Sequence, residues 1–401
     1  MKNIEGNNDN NKASGALKII IAVFITAVVT YFITTTCVFK KYLNSSNASY
    51  LSTKLGIIKQ RLDKAYIYDM DENKMIENAI KGYVSGVGDE YTEYLTTDEM
   101  KALIENTAGK YVGIGVYLAE NKADDTIVII GVIEGSPAEE AGIKAGDILK
   151  SVNGIDYTGK KLTEASNLLK DKNDGNQVKV VIVRDSEEIE LSVERRNVRI
   201  KAVTSELKEG NIGYIKVSTF NEGTADEFKN VYEELNKQGA SKLIIDLRNN
   251  GGGLVSESLK IADLMVPKGN TMLITSNKEN KEKQEKASKD PIITVPVVIL
   301  INENSASASE ILAGCLKDNC NYKIVGTKSY GKGVIQTILS LPDSSGIKIT
   351  TDEYFTPNHN TINKVGIKPD IEVVVEDEAS SLYSKDNDIQ LKRAIEEIKA
   401  N

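Results

Sequence analysis

The feature that most constrains the fold is a regular alternation of short apolar strands and amphipathic helices, which begins near residue 197. Two segments, Lys242–Leu247 and Val295–Ile301, are dominated by aliphatic residues, as is typical of buried strands. The stretches between such segments carry apolar residues at helical spacing. Alternation of this kind predicts an α/β domain.

The same patterns predict the other elements of this domain. We expect a strand at Ile212–Val217, an amphipathic helix at Thr224–Leu235 that Thr224 caps, and a helix that ends near Met265. The stretch 277–290 is rich in Lys and Glu and is predicted to be a solvated loop. Shorter strands and a terminal helix are predicted at Lys323–Val325, Val334–Ser340, Ile347–Thr351 and Ile389–Ile398.

Composition excludes several classes of function. The chain has 401 residues, enough for two or three domains, and its formal net charge of −8 argues against a general nucleic-acid binder. The three cysteines (Cys37, Cys315 and Cys320) cannot form a disulfide framework, and the last two are predicted to be apolar packing residues. One histidine and no Cys-x-x-Cys motif leave zinc without ligands. We expect neither a metal nor another cofactor.

The N-terminus shows the clearest break in composition. Residues 1–18 are polar and rich in Asn, and they predict a disordered tail. Residues 19–39 carry no charge and are long enough to span a bilayer, which takes about 20 residues. A cleaved signal peptide is the alternative, although no small-x-small cleavage motif follows directly. We predict an uncleaved single-pass anchor in the cell membrane, with the catalytic domain outside the cytoplasm.

Residues 40–105 are predicted to be a helical region. Leu51, Leu55, Ile58 and Leu62 recur at spacings of three and four, and Met75–Tyr83 repeats the pattern. This region contains no reactive constellation. We expect it to serve in packing or in the formation of a homodimer.

Residues 106–196 change to short strands and glycines. Gly113-Ile114-Gly115-Val116 leads into a strand, and Ser136-Pro137 opens a short helix with the serine as its N-cap. Val152-Asn153-Gly154 predicts a hairpin-like turn. A helix at Leu162–Leu169 and a strand at Val178–Arg184 follow.

This order resembles a PDZ domain, above all in the loop Gly113–Val116 and in the run Ser-Pro-Ala-x-x-Ala-Gly-Ile-x-x-Gly-Asp-Ile-Leu at 136–149. In PDZ domains, successive backbone N–H groups bind a C-terminal carboxylate, and the bound tail adds to the sheet as a strand. The resemblance implies that Gly113, Ile114, Gly115 and Val116 bind the tail of a protein. A plain small β-barrel is the alternative.

Ser307, Lys332 and Gln336 form a candidate catalytic set. Ser307 follows a buried strand and begins a helix, where free N–H groups favour a developing anion. A serine hydroxyl needs a base, and a lysine is the obvious one in a chain with a single histidine. Burial would lower the pKa of Lys332 from about 10.4 towards the working range. Gln336 is a neutral amide that can hold the amine without restoring its charge.

An oxyanion hole needs two N–H donors that point at the tetrahedral oxygen. We expect one from Ala308, beside the candidate nucleophile, and the other from Gly251 or Gly252 in the glycine turn after a buried strand. His359 lies in a turn-like cluster, Thr356–Asn360. If His359 paired with Ser307, the mechanism would be a Ser-His one and Lys332 would be incidental.

Together these motifs resemble the carboxy-terminal processing peptidases, or tail-specific proteases, of peptidase family S41. The resemblance covers roughly residues 50–375. It rests on Asp246–Gly253, Ser305–Glu310, Gly331-Lys332-Gly333 with Gln336, Tyr354–Pro357 and Gly366–Asp370. It implies a crotonase/ClpP-like α/β spiral core at 197–401 with an inserted PDZ domain at 106–196. It also implies that Ser307 is the nucleophile, Lys332 the general base and Gln336 the residue that positions the lysine.

Three positions differ from the family pattern. Lys170 is the nearest match to a PDZ arginine that supports the active state in some relatives. His359-Asn360 replaces the usual Gly-Arg, and Asp89-Glu90-Tyr91-Thr92 replaces the more usual Asp-Pro-Tyr-Ser.

These observations predict a membrane-anchored serine endopeptidase that binds accessible, nonpolar C-termini of proteins and cleaves near them. A PDZ adaptor built on an inactive protease fold is the first alternative, and the intact set Ser307, Lys332 and Gln336 argues against it. A crotonase-like acyl-CoA enzyme is the second, and it leaves the PDZ-like region, the anchor and Lys332 without a role.

Overall fold

A computed structural model describes residues 23–34, 46–121, 124–157, 162–170, 175–375 and 388–400. The chain divides into two compact units, residues 1–76 and 77–401. The first contains helix α1 (residues 23–34), helix α2 (Ser46–Ala65) and the start of helix α3 (Glu72–Ser85). Among the described helices, none has the length and apolar character needed to cross a membrane. The predicted tail 1–18 and both ends of the predicted anchor 19–39 lie outside the described residues.

The region predicted to be wholly helical also contains a strand. Strand β1 (Glu93–Leu95) lies between α3 and helix α4 (Thr97–Ala108), and it pairs antiparallel with strand β18 (Gly346–Phe355). Thr96 caps α4 together with Glu99, whose carboxylate accepts from the Thr96 amide. The helical prediction was therefore wrong here, because the partner of β1 lies far along the chain and leaves no local signal.

A six-stranded antiparallel sheet follows, in the order β3-β4-β5-β7-β8 with β6 paired to β5. The helices of this region are α5 and α6, and strands β2 and β9 form a separate pair. The predicted N-cap Ser136, the proline at the first turn and the bounds of α6 are confirmed. The elements are β2 (Lys110–Gly113), β3 (Val116–Asn121), β4 (Thr126–Val132), α5 (Pro137–Glu140), β5 (Ile148–Val152), β6 (Ile155–Asp156), α6 (Leu162–Leu169), β7 (Gln177–Arg184), β8 (Glu187–Glu194) and β9 (Arg196–Arg199).

The second half is built on a six-stranded sheet in the order β10-β11-β12-β15-β16-β19. All its neighbouring pairs are parallel except β10 with β11. The apolar run of β12 reflects burial on both faces of the sheet. Leu243 and Ile245 pack with α7, α8 and α9, whereas Ile244 packs with α10. The elements are β10 (Val203–Lys208), β11 (Ile212–Val217), α7 (Thr224–Lys237), β12 (Lys242–Asp246), α8 (Val255–Ala262), β15 (Val297–Ile301), α9 (Ala308–Cys320), β16 (Lys323–Gly326), β19 (Ile371–Glu372) and α10 (Ile389–Ala400).

An antiparallel sheet completes the unit, in the order β1-β18-β13-β14 with β17 also paired to β18. Its remaining strands are β13 (Thr271–Asn277), β14 (Glu282–Lys286) and β17 (Val334–Ser340). The solvated loop predicted at 277–290 was therefore wrong in part, because β14 forms a strand within it. Its Lys and Glu side chains stay largely exposed while its backbone pairs with β13, as is common at a sheet edge.

One capping prediction was also wrong. Helix α7 begins after Gly223, whose φ of +83° suits a glycine, so Gly223 and not Thr224 is the N-cap. The Thr224 hydroxyl instead accepts a hydrogen bond from the Asn221 amide at 2.9 Å. The side chain predicted to cap the helix thus closes the turn before it.

Candidate active site

Ser307 occupies the junction between β15 and α9, where it is the N-cap residue with φ +55° and ψ −115°. This conformation is strained for a residue with a side chain, and such strain is often found at functional sites. The neighbouring serines have other tasks, since the Ser305 hydroxyl donates to the Leu247 carbonyl (2.8 Å) and the Ser309 hydroxyl to the Asn250 carbonyl (2.9 Å). Both are fully buried, whereas Ser307 is partly exposed.

The glycine turn after β12 packs directly against Ser307. A side chain at Gly252 would place its Cβ 2.9 Å from the Ser307 Cβ and 3.1 Å from the Ala308 nitrogen. Asn250 holds the turn, since its Oδ1 accepts from the Gly252 amide (2.9 Å) and its carbonyl accepts from the Ala306 amide (3.1 Å). Only a residue without a side chain fits at Gly252.

The three amides predicted to bind an oxyanion differ in whether they already donate a hydrogen bond. The Gly252 amide is already engaged with Asn250. Within the described residues, the amides of Gly251 and Ala308 have no hydrogen-bond acceptor. Ala308 is also the first residue of α9, whose N-terminus favours negative charge. Within the described residues, the amides of Gly251 and Ala308 can therefore donate to an oxyanion. Gly252, which has no side chain, lets the turn lie close to Ser307.

Glu310 ties the serine to the loop that carries Lys332. Its Oε2 accepts from the Ser307 and Lys332 amides, each at 2.9 Å. Its Oε1 accepts from the Ser329 hydroxyl (2.6 Å) and the Gly331 amide (2.7 Å). The side chain is 1% exposed, and this burial raises its pKa, although the four donors act in the opposite direction.

Tyr354 connects the same two residues from the other side. Its hydroxyl lies within hydrogen-bond distance of the Lys332 carbonyl and 3.2 Å from the Ser307 carbonyl. The ring is fully buried, and this burial raises the pKa of the phenol well above its usual value, so the group stays a neutral donor. The peptide groups of Ser307 and Lys332 are thus held by two shared side chains.

Lys332 lies in a half-buried position beneath an aromatic ring. Its Nζ is 4.6 Å from the centroid of the Tyr91 ring. Burial lowers the pKa of Lys332, and the charge of Lys348 lowers it further, against the opposing effect of nearby carboxylates. A base with a lowered pKa is what a lysine needs to accept a proton at neutral pH.

Gln336 lies four residues further, on β17, and its amide nitrogen donates to the Thr350 hydroxyl at 3.2 Å. Thr350 in turn donates to Asp89 Oδ2 at 2.7 Å. The hydrogen bonds of the described residues do not include one between Gln336 and Lys332. The Gln336 amide is thus held from β18.

His359 makes its contacts elsewhere. Its ring stacks on Phe355 with centroids 4.7 Å apart, and Nε2 lies 2.8 Å from a carboxylate oxygen of Glu282. That hydrogen bond raises the pKa of the histidine. Nothing in the described contacts brings His359 to Ser307, whereas Lys332 shares with Ser307 the contacts to Glu310 and Tyr354.

The predicted tail-binding loop is a tight turn between β2 and β3. Gly115 has φ +88°, and a Cβ there would lie 2.3 Å from the Ser136 Cβ. The Ile114 and Gly115 carbonyls accept from Ala138 and Ile133, while their amides have no acceptor within the described residues. Beside the loop is a groove of about 220 Å³ that β3 and α6 line in part. Successive free amides beside a groove between a strand and a helix suit a bound carboxylate.

Comparison with known proteins gives the family. Residues 211–373 match peptidase family S41, and residues 128–184 match the PDZ domain. The chain is 34% identical over 372 residues to the carboxy-terminal processing protease CtpA of Bacillus subtilis, a match that covers 92% of this chain and 79% of that protein. It is 35% identical over 361 residues to a CtpA-like serine protease of Staphylococcus epidermidis, covering 88% of this chain and 71% of that one.

Solved structures include an S41 protease of Bacteroides fragilis, with a TM-score of 0.55 and 19% identity over 84% of this chain and 92% of that chain. That match supports the fold alone. The chain is therefore a serine-type peptidase with a PDZ domain, and it belongs to peptidase family S41. The predicted family is confirmed.

Sequence reasoning missed four residues of the site: Tyr91, Asn250, Glu310 and Tyr354. All four lay within quoted segments: Tyr91 in Asp89–Thr92, Asn250 in Asp246–Gly253, Glu310 three residues after Ser307 and Tyr354 ahead of Thr356-Pro357. A Ser-x-x-Glu spacing at a helix start signals an N-terminal capping interaction, and it could have pointed to Glu310. Tyr91 lay in the region predicted to be helical and without a reactive constellation, so no local signal marked its position over Lys332.

Proposed function

We propose that this protein is a membrane-anchored serine endopeptidase with a Ser307-Lys332 dyad, which cleaves polypeptides near a C-terminus held by its PDZ domain. The observation that carries the proposal is the shared attachment of Ser307 and Lys332 to Glu310 and Tyr354. A fixed geometry between nucleophile and base is what nucleophilic catalysis requires.

The neutral amine of Lys332 takes the proton of the Ser307 hydroxyl as its oxygen attacks the scissile carbonyl carbon. Negative charge develops on the carbonyl oxygen, and the amides of Gly251 and Ala308 stabilise it at the N-terminus of α9. The Lys332 ammonium then gives its proton to the departing amine, which leaves an acyl-enzyme. Water attacks this ester with Lys332 again as the base, and the second product leaves with a new carboxyl group.

The PDZ domain selects the substrate by its end. A C-terminal carboxylate binds to the amides of Ile114 and Gly115 within the Gly113-Ile114-Gly115-Val116 loop, and the tail extends along β3. The groove beside the loop is lined in part by Val116, Leu118 and Leu162, which supports a preference for nonpolar tails. The names of the Bacillus and Staphylococcus relatives, which describe C-terminal processing or likeness to CtpA, agree with this proposal.

Residues 19–39 anchor the chain in the cell membrane, so that the catalytic domain acts outside the cytoplasm, and residues 40–105 form a homodimer. The uncharged run and the apolar spacing of α2 support this part of the proposal. Release from membranes by detergent but not by high salt tests the anchor, and sedimentation of the detergent-solubilised chain tests the dimer. A salt-released chain or a monomer would contradict the respective assignment.

The catalytic proposal is tested by the cleavage of an unstructured protein with a nonpolar C-terminus by the full chain in detergent. Ser307→Ala and Lys332→Ala should abolish cleavage, and Lys332→Arg should not restore it, because arginine stays charged. Ser305→Ala is the matched control at the nucleophile, and its buried hydroxyl has no part in the chemistry. Cleavage retained by Ser307→Ala would refute the assignment.

Tail recognition needs a separate experiment. The affinity of a nonpolar peptide for the Ser307→Ala chain should fall about tenfold or more when its C-terminal carboxylate is replaced by an amide, which removes the charge-assisted hydrogen bonds. Equal affinity for both peptides would exclude the carboxylate as the recognised group.

A further inference from the structure

We propose that Asp89 and Tyr91 are positioning residues of the active site: Tyr91 shields the Lys332 amine from water, and Asp89 fixes the orientation of Gln336 through Thr350. The inference rests on the proposed Ser-Lys mechanism and extends it to the segment before β1, Asp89–Thr92. That segment lies in the same compact unit as the dyad, residues 77–401.

The hydrogen bonds between Asp89 and Gln336 have a defined direction. An ionised carboxylate only accepts hydrogen bonds, and the pKa of Asp89 is lowered because, although burial raises it, hydrogen bonds from Thr92 and Thr350 outweigh that effect. The Thr350 hydroxyl must therefore give its single proton to Asp89 Oδ2, at 2.7 Å. Its oxygen is left as an acceptor.

This direction decides which end of the Gln336 amide faces Thr350. The amide nitrogen, 3.2 Å away, donates to the Thr350 oxygen, so the amide oxygen points away from it. In the proposed mechanism, that oxygen accepts one N–H of a neutral Lys332 amine. An amine held in this way by one hydrogen keeps its lone pair available for the Ser307 proton. Without the carboxylate of Asp89, Thr350 could donate to Gln336 and the amide could turn round.

Thr92 holds the carboxylate in place for this purpose. Its hydroxyl donates to the same Asp89 Oδ2, and its oxygen accepts from the Thr350 amide at 3.1 Å. The segment before β1 is therefore fastened to β18 beside the register pair Glu93 and Lys348. Asp89 is thus fixed relative to the strand that carries Thr350, and its position is not left to a free loop.

Tyr91 acts on the lysine directly. Its ring face lies over Nζ at 4.6 Å from the centroid, so it covers the amine. The ring also attracts an ammonium through its quadrupole, which opposes the effect of lost hydration. The hydroxyl of Tyr91 meets Tyr330, which precedes the Gly331-Lys332-Gly333 turn. The ring is therefore held by the loop that it covers.

The other groups that face Lys332 define how charge should act on it. Asp89, Glu310 and Glu93 favour the charged form of the amine, and Lys348 disfavours it. Removal of the Asp89 charge should therefore lower the pKa of Lys332. Removal of the Tyr91 ring should raise it, because water regains access. The two substitutions should move the titration in opposite directions, which damage to the fold would not do.

The test is the pH dependence of kcat/KM for a quenched fluorescent peptide, measured with the full chain in detergent. Tyr91→Ala should lower kcat about tenfold or more and move the acid limb to higher pH, and Tyr91→Phe should keep the parent limb. Asp89→Asn should lower kcat about tenfold and move the limb to lower pH, with KM unchanged. Ile292→Ala and Asp226→Asn, at exposed positions outside residues 40–105, are the matched controls.

A second pair of variants, at Thr350, distinguishes the proposed role of Asp89 from a loss of folding. Thr350→Ser keeps the relaying hydroxyl and should retain activity, whereas Thr350→Val keeps the shape and should match Asp89→Asn in its loss of kcat. The inference would be overturned if the acid limb of the pH profile of kcat/KM were the same as in the parent for both Tyr91→Ala and Asp89→Asn. Full activity of Thr350→Val would also overturn it. These outcomes are distinct from a failure of the proposed function, which would appear as cleavage by Ser307→Ala.

Discussion

The amides of Ser307 and Lys332 donate to the same oxygen, Oε2 of Glu310, each over 2.9 Å. Their carbonyls approach one phenol oxygen, that of Tyr354. The relative position of the Ser307 and Lys332 backbones is therefore set by four backbone groups and two buried side chains.

Glu310→Gln should damage both the fold and the activity. Glutamine offers one acceptor oxygen in place of two, and its NH₂ group would face backbone donors in a buried site. Hydrogen bonds to charged groups contribute about 1.5–3 kcal/mol each, so we expect the free energy of unfolding to fall by about 2–4 kcal/mol. Urea unfolding measures this, and kcat should fall with it.

Glu279→Gln, at an exposed position, is the matched control and should leave both quantities unchanged. A Glu310→Gln chain with parent stability and parent kcat would show that the shared acceptor has no structural importance.

Tyr354→Phe tests the contact that the Tyr354 hydroxyl makes with the Ser307 and Lys332 carbonyls. The substitution keeps the buried ring and removes only the hydroxyl that meets the Ser307 and Lys332 carbonyls. We expect a loss of about 1 kcal/mol in the free energy of unfolding and a fall in kcat with little change in KM. Tyr232→Phe is the control, because Tyr232 is buried and its hydroxyl has no hydrogen bond among the described residues. An equal effect of both substitutions on kcat would refute the bridging role.

Gly252→Ala tests the contact between the glycine turn and the serine loop. The new Cβ would lie 2.8 Å from the Ala306 carbonyl oxygen and 2.9 Å from the Ser307 Cβ, at φ +105°. Strain from the left-handed backbone and overpacking together should cost about 2–4 kcal/mol, with loss of cleavage.

Gly269→Ala provides the comparison, since Gly269 also has a positive φ, +86°, but open space around its Cβ position. It should cost only about 1–2 kcal/mol and leave cleavage intact. Comparable losses at both positions would mean that backbone strain alone, and not contact with Ser307, limits residue 252.

Local signals were enough to predict much of the fold. Strand β11, helix α6 and strand β17 have the bounds that periodicity predicted, because an apolar repeat records which face of an element is buried. Strand β14 and the N-cap of α7 were missed for a common reason. Each depends on the backbone, through pairing with β13 in one case and a positive φ at Gly223 in the other, and side-chain patterns carry neither signal.

The residues of the candidate active site likewise divide into those with a local sequence signal and those without one. Ser307 and Lys332 were found because each lies in a short motif with its own chemistry, a helix start and a glycine-flanked turn. Tyr91 could not be found in this way, since it reaches Lys332 only through the pairing of β1 with β18 across some 250 residues. The orientation of Gln336 likewise depends on Thr350 and Asp89, which the sequence places far apart.

Lys332→Met should stabilise the protein at neutral pH while abolishing cleavage. The folded pKa of Lys332 lies below the reference value of 10.5, because burial disfavours the ammonium. Between the folded and the unfolded pKa, the unfolded state binds more protons, so stability rises with pH through that window. Below it, the folded chain bears the full cost of a half-buried charge, and methionine removes that cost at nearly the same size.

Urea unfolding of the parent and the Lys332→Met variant at neutral pH and above pH 10.5 measures this difference. The variant should be the more stable at neutral pH, and its advantage should shrink once the amine of the unfolded parent is also neutral. Lys328→Met, four residues earlier and exposed, should show no such pH dependence. If Lys332→Met is destabilised at neutral pH, the ring of Tyr91 and the carboxylates outweigh the lost hydration, and Lys332 remains protonated where the proposed mechanism needs it neutral.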